Sequence, residues 1–173
     1  MTTNILEWSR SIFVTTPIRW LNLVDSVPVE LLSMPPAPNE WSALKCLQHL
    51  VEVEREVFPI RMKALLTGQS FSGFEPDSGD MKEPPTIALA SVFDNLRKEN
   101  LILLDQVTKA DLDRQALHAE AGIMVSMATF LHQSAAHDLM HTVQAERALM
   151  QPFIKGCGLW QDNYSDHVAK IRS

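Results

Sequence analysis

The chain is poor in several residue types and patterns that mark particular classes of protein. It has only two cysteines in 173 residues, Cys46 and Cys157, which lie far apart and form no CxxC pair. A disulfide framework is therefore not expected, and a reducing cytoplasm is the compartment that fits best. No apolar run approaches the roughly 20 residues that cross a bilayer, and the first residues lack the basic-then-apolar pattern of a secretory signal. We expect a cytoplasmic protein without a membrane partner.

Positive charge is also scarce. The chain has 15 Lys and Arg against 21 Asp and Glu, which gives a net charge of −6, and it contains no basic run. Nucleic-acid binding requires clustered cations that neutralise phosphates, so we expect no nucleic-acid partner. The hydrophobic fraction of 46% and the charged fraction of 21% are typical of a globular protein. The length predicts one domain over residues 1–173, with a core at about 4–151 and a C-terminal extension at 152–173.

Apolar residues recur mostly at helical spacing, and prolines and glycines separate the helical segments. Pro17 predicts a break or kink in the first segment, Pro59 a late bend in the second, and Pro152 the end of the fourth. Residues 67–85 are expected to form a long loop, and residues 109–122 to include an extended or single-turn piece. With no convincing strand pattern, the sequence predicts an all-α bundle. The four predicted helical segments are Asn4–Val27, Trp41–Leu66, Thr86–Thr108 and Ser126–Gln151.

Three histidines form a candidate site. His137 and His141 lie four residues apart in the stretch AAHDLMHTVQAERAL, which places them on one face of the fourth helix. His49 lies at the edge of the apolar stripe of the second helix, from which it could face the pair inside a bundle. Three imidazoles from two helices would bind a metal and keep a fourth position open for water or substrate. Spacing alone does not separate this interpretation from ordinary core or surface histidines.

The sequence around these histidines resembles the DinB/YfiT-like family. The stretch PAPNEWSALKCLQHLVEVERE is similar to the family's second-helix signature, in which a Trp-Ser start, here Trp41 and Ser42, leads to a histidine and an acidic residue. AAHDLMHTVQAERAL is similar to the family's later HxxxH helix. The resemblance implies a four-helix bundle of up-down-down-up order with long crossover connections. It also implies a divalent metal bound by His49, His137 and His141, with zinc expected first and nickel, iron or manganese as alternatives.

The same resemblance implies a metal-dependent enzyme that acts on a small-molecule substrate. Family activities include hydrolysis and transfer or isomerisation that depends on a small thiol such as bacillithiol, mycothiol or glutathione. The open metal position would then activate water, or the sulfur of a thiol cosubstrate. The alternative is a noncatalytic bundle, stress-related or ligand-binding, with a structural or vestigial metal site. Exposed apolar positions on the fourth helix would suit a homodimer.

Three acidic residues lie close to the histidines in sequence. Glu56 is predicted to face the cavity and is the candidate catalytic carboxylate. Glu52 follows His49 by three residues and is predicted either to hydrogen-bond the second ring nitrogen of a ligand or to lie exposed. Asp138 stands where the HExxH zinc proteases have glutamate, but aspartate is one methylene shorter and the third protease ligand is missing. We expect Asp138 to be a hydrogen-bonded or solvated helix residue.

Overall fold

Helices make up most of the computed structural model, which describes residues 4–74 and 86–169. Part of the predicted loop at residues 67–85 lies outside the described residues. The described ranges contain six α-helices, one β-hairpin and two 3-10 helices. The elements are α1 Ile5–Ser26, α2 Val29–Ser33, α3 Ala43–Glu56, α4 Phe58–Thr67, α5 Leu89–Leu104, a 3-10 helix Lys109–Asp111, β1 Gln115–His118, β2 Ile123–Ser126, α6 Met127–Gly156 and a 3-10 helix Gly158–His167.

The four long helices form a bundle in which chain neighbours are not always spatial neighbours. Helix α1 packs against α5 and α6, and α3 packs against the same two helices. The chain therefore crosses the bundle between α1 and α3, and again between α5 and α6. This arrangement confirms the predicted all-α four-helix bundle with crossover connections.

The start and the bend of the second long helix follow from its local sequence. Ser42 caps α3, because its hydroxyl accepts a hydrogen bond from the backbone N–H of Lys45 at 3.2 Å. Helix α3 ends at Glu56, and Val57 separates it from α4. Pro59 lies in the first turn of α4, where the missing proline N–H removes no helical hydrogen bond. The predicted helix over Trp41–Leu66 is therefore two helices joined at a bend, as Pro59 indicated.

The predictions for Pro17, for Pro152 and for residues 109–122 have different outcomes. Helix α1 continues through Pro17, so the chain does not break there. The prediction that Pro152 ends the fourth helix is wrong, because α6 continues to Gly156. A proline near a helix end removes few hydrogen bonds, and the buried side chain of Ile154 packs the last turn against the bundle. The piece expected between residues 109 and 122 is a 3-10 turn followed by β1, which pairs antiparallel with β2.

A buried polar layer divides the bundle core into two apolar clusters. On α1, on α5, on α6 and along α3 and α4 together, a buried polar residue lies between a residue of one cluster and a residue of the other. The layer therefore crosses the whole bundle at one level. Its members are Thr16 between Phe13 and Trp20, Glu54 between Val51 and Phe58, Arg97 between Phe93 and Leu104, and Asp138 between Ala135 and Ala145.

Candidate metal centre

The three predicted histidines converge at one point between α3 and α6. His137 Nε2 lies 3.1 Å from His49 Nε2 and 3.1 Å from His141 Nε2. One ring nitrogen from each residue lies within 4.8 Å of the other two. His49 and His141 are buried and His137 is half-buried, so the three donors share a largely desolvated site. The fold thus brings together residues that are 88 positions apart in the chain.

The spacing of these nitrogens fits a metal ion. Ligands about 2.0–2.1 Å from a tetrahedral metal lie roughly 3.3 Å from one another. The two observed separations of 3.1 Å are close to that value. Three imidazole donors also leave one tetrahedral position without a protein ligand, which is the pattern of catalytic zinc sites.

Side chains around the histidines orient two of the rings. His141 Nδ1 donates to the side-chain carbonyl of Gln144 at 2.9 Å, so its Nε2 presents a lone pair to the centre. Trp41 stacks on His141 at 17° with ring centroids 5.6 Å apart, and lies at 5.1 Å from the ring of His49. Ser42, the next residue, caps α3, so the helix start places Trp41 over the site.

All three histidines are held in the neutral form that binds metals. Burial, together with the charges of His141, His137 and Lys45, lowers the pKa of His49 to about 3. Burial is also the main cause that lowers the pKa of His137 to about 4, with smaller contributions from neighbouring cations. The pKa of His141 is lowered by burial and partly restored by the bond to Gln144. Unprotonated imidazole nitrogens are therefore available well below neutral pH.

The carboxylates beside the centre are not the ones predicted. Glu56 is exposed on the last turn of α3 and is not among the residues that line the cavity, so its predicted position is wrong. Glu52 is half-buried, but it does not bond to His49 Nδ1, which is buried and has no hydrogen-bond partner in the described chain. Glu54 and Asp138 are the carboxylates that line the cavity. Helix α3 is buried on several sides, so the direction of a residue on this helix does not by itself distinguish Glu54 from Glu56.

Arg97 fixes both of these carboxylates. Its guanidinium donates to Asp138 Oδ2 at 2.7 Å and to Glu54 Oε1 at 2.8 Å. Asn100 also donates to Glu54, at 2.8 Å. Burial raises the pKa of Glu54, although the charge of Arg97 opposes that shift. Asp138 is therefore a buried, hydrogen-bonded helix residue next to a candidate ligand, which is one of the two predicted outcomes.

Comparison with known proteins places this arrangement in a family. The sequence profile of the DinB superfamily matches residues 12–145. The chain belongs to the DinB superfamily. The fold is also similar to that of YfiT from Bacillus subtilis, which is described as "a probable metal-dependent hydrolase with an unusual four-helix bundle topology". The TM-score is 0.74 at 15% sequence identity, and the match covers 88% of this chain and 90% of YfiT. No curated protein matches the chain in sequence.

A cavity opens next to the histidines of this DinB protein. Its volume is about 190 Å³, which is below the roughly 300–1,000 Å³ of sites for drug-sized ligands and suits a smaller molecule. The walls combine apolar side chains with polar ones from both sides of the α3–α4 bend and from α6. The lining residues are His49, Val53, Glu54, Val57, Phe58, Arg61, Phe74, Phe130, Gln133, Ser134, His137 and Asp138.

The histidines of this DinB protein were predictable from its sequence, whereas Arg97, Glu54 and Arg61 were not among the predicted site residues. One signal pointed to the first of these: Arg97 and Asn100 are three residues apart among the apolar positions of the third predicted helix. A polar pair at core spacing indicates a buried network.

None of the helices in residues 4–74 and 86–169 is long and apolar enough to cross a membrane.

Proposed function

We propose that this DinB protein is a metal-dependent enzyme that hydrolyses a small molecule at His49, His137 and His141. The observation that carries the proposal is the convergence of three imidazole Nε2 atoms with two separations of 3.1 Å. Zinc is the first candidate metal, and nickel, iron and manganese also accept imidazole ligands. The likeness to YfiT, itself described as a probable metal-dependent hydrolase, supports the proposal.

The residues around the centre have separate roles in this proposal. A divalent metal held there supplies a Lewis acid and lowers the pKa of a water or thiol ligand. Gln144 fixes the ring of His141 through its 2.9 Å hydrogen bond, and Trp41 covers that ring on one face. Asp138 is held at the cavity wall by Arg97 and is placed to accept a hydrogen bond from a substrate or water near the centre.

The cavity favours an enzyme over a purely structural metal site. His49 and His137 line both the centre and the cavity, so a small molecule in the cavity would reach the metal position. Structural zinc sites are typically closed by a fourth protein ligand. Among the described residues, the group of side chains close enough together to share one ion consists of the three histidines, with no carboxylate or thiol as a fourth member.

A small thiol is the cosubstrate in the related proposal of transfer or isomerisation. Cys46 does not supply that thiol, because it is fully buried and burial raises its pKa to about 12. The sulfur nucleophile would therefore come from a free thiol that enters the cavity. This version shares the same three ligands and differs in the nucleophile alone.

Turnover by protein that has been stripped of metal and then reloaded with metal tests the proposal. Chelator-treated protein is reloaded with zinc, nickel, iron or manganese and assayed with 4-nitrophenyl acetate, and with glutathione plus 1-chloro-2,4-dinitrobenzene. We expect metal-dependent ester hydrolysis that is lost in His137→Ala and kept in His132→Ala, an exposed histidine of the same helix. Turnover that requires glutathione would support thiol transfer instead. Metal binding without turnover in either assay would support the noncatalytic alternative and overturn the enzyme proposal.

A further inference from the structure

We infer that the cavity binds a small organic anion, a carboxylate or a phosphate monoester with an apolar body, and that Arg61 binds its charged end. Treating this anion as the substrate rests on the proposed function. The binding itself does not, because it requires no metal.

Arg61 is a cation in the cavity wall that the described protein leaves without a counter-ion. It lies on α4, is half-buried and lines the cavity. Within residues 4–74 and 86–169 it forms no ion pair and no hydrogen bond. The carboxylate of Glu120 acts on Arg61 through its charge, but it accepts a hydrogen bond from the backbone N–H of Gly73 at 2.6 Å. Burial lowers the pKa of Arg61 more than Glu120 raises it, so the charge is incompletely compensated.

The guanidinium is supported from behind by an aromatic ring. Its central carbon lies 5.4 Å from the ring centroid of Phe71, which is buried. Backbone bonds fix Phe71 to the hairpin: its N–H donates to Leu117 at 3.0 Å, and Ala119 donates to its carbonyl at 2.9 Å. A guanidinium stacked on a fixed ring is held in one orientation before a ligand binds. Its parallel N–H groups match the spacing of two oxygens of a carboxylate or phosphate.

The apolar part of the wall suits the apolar body of such a ligand. Val57, Phe58 and Phe130 line the cavity together with Arg61. Along α6 the cavity extends from Phe130 to His137, seven residues or roughly 10 Å of helix. Arg61 and the two histidines line this same cavity, and the charge of Arg61 acts on His137, so one ligand could contact Arg61 and also reach the candidate metal position.

The two carboxylates in the wall do not cancel this preference. Glu54 and Asp138 also line the cavity, but each is bonded to the buried guanidinium of Arg97. The single Arg97 guanidinium compensates one of the two carboxylate charges, and burial raises the pKa of Glu54, which favours its neutral form. Arg61 is the one lysine or arginine among the lining residues, and the described part of the chain gives it no ion pair.

Titration calorimetry on metal-free protein tests the inference with three matched probes. Phenylacetate and phenyl phosphate carry the charge, and phenylacetamide is the neutral counterpart of phenylacetate. We expect the wild type to bind the better of the two anions at least about fivefold more tightly than phenylacetamide. Arg61→Met should abolish that preference. Arg55→Met is the control, because Arg55 is exposed on α3 and is not among the lining residues.

The outcomes separate this inference from the metal proposal. Whichever anion binds more tightly identifies the group as carboxylate or phosphate. No preference for either anion in the wild type, or an equal loss in Arg55→Met, would overturn the inference whether or not the protein binds metal. If Arg61→Met does not fold, the side-chain Nε–H signal of Arg61 in the wild type is followed by NMR, with Arg61→Lys for assignment. That signal should shift with the preferred anion and not with phenylacetamide, and an unchanged signal contradicts the inference.

Discussion

Arg97 connects all four long helices of the bundle through one buried side chain. It lies on α5 and bonds to Glu54 on α3, to Asp138 on α6 and to the carbonyl of Phe13 on α1 at 3.3 Å. Its guanidinium also lies 4.9 Å from the ring centroid of Phe13. Burying these charges costs free energy, which their mutual attraction and hydrogen bonds offset only while every partner is present. The layer therefore favours one register of the helices over alternatives.

Replacing Arg97 by methionine should destabilise the protein strongly. The change leaves Glu54 and Asp138 buried without their cation, so we expect the free energy of unfolding to fall by about 3–5 kcal/mol. Arg19→Met is the control, because Arg19 pairs with Glu146 at 3.0 Å on an exposed surface, and such pairs contribute about 0–1 kcal/mol. Urea denaturation of the metal-free variants measures both. Similar losses in the two variants would show that the layer does not have this stabilising role.

The histidines should make metal affinity insensitive to mild acid. Protons compete with the metal for imidazole nitrogens as the pH falls, but only when the pH approaches the pKa values that these histidines have in the folded protein. Those pKa values are about 3 for His49 and about 4 for His137, and that of His141 is also lowered. We expect zinc affinity at pH 6 to be within about threefold of that at pH 7.5. A site of three histidines with ordinary pKa values near 6.5 would lose more than about tenfold in zinc affinity over that range.

Competition with a chromophoric chelator of known affinity measures this pH dependence. The chelator is calibrated at each pH, and the buffer is chosen not to bind zinc. A loss of more than tenfold by pH 6 would mean that the imidazoles are not held neutral by burial.

The β-hairpin between the 3-10 turn and α6 supports one side of the cavity. Its strand β1 bonds to Phe71, which in turn contacts Arg61. The turn between the strands contains Gly122 at φ +64°, where its N–H donates to the carbonyl of His118 at 2.9 Å. A residue with a Cβ is strained in that left-handed conformation, even though a Cβ there would meet no other atom within 4 Å.

Gly122→Ala should therefore destabilise the protein by about 1–2 kcal/mol through backbone strain alone. Gly156→Ala is the matched control, because Gly156 ends α6 without a positive φ and also has open space around its Cβ position. We expect that variant to be neutral or slightly stabilised. Thermal and urea unfolding compare the two. An equal effect of both substitutions would exclude backbone strain as the cause.

At the scale of the whole molecule, periodicity predicted the bundle, and a family resemblance predicted the histidine cluster. The helices were predictable because each shows a local apolar repeat, and His137 and His141 because they lie four residues apart on one of them. The pairing of Arg97 with Glu54 and Asp138 was not predictable, because it depends on how three helices meet. The same holds for Arg61, whose environment is set by a hairpin that the sequence indicated only as an extended piece. The homodimer and the cytoplasmic location stay predictions.

Metal content of the folded protein tests the central claim most directly. Untagged wild type, His137→Ala and His132→Ala are loaded with excess zinc, desalted and measured by inductively coupled plasma mass spectrometry, with circular dichroism to verify folding. The three-histidine site predicts about one zinc ion per chain in the wild type and in His132→Ala, and close to none in His137→Ala. Equal zinc in His137→Ala and the wild type, or no zinc in the wild type, would contradict it.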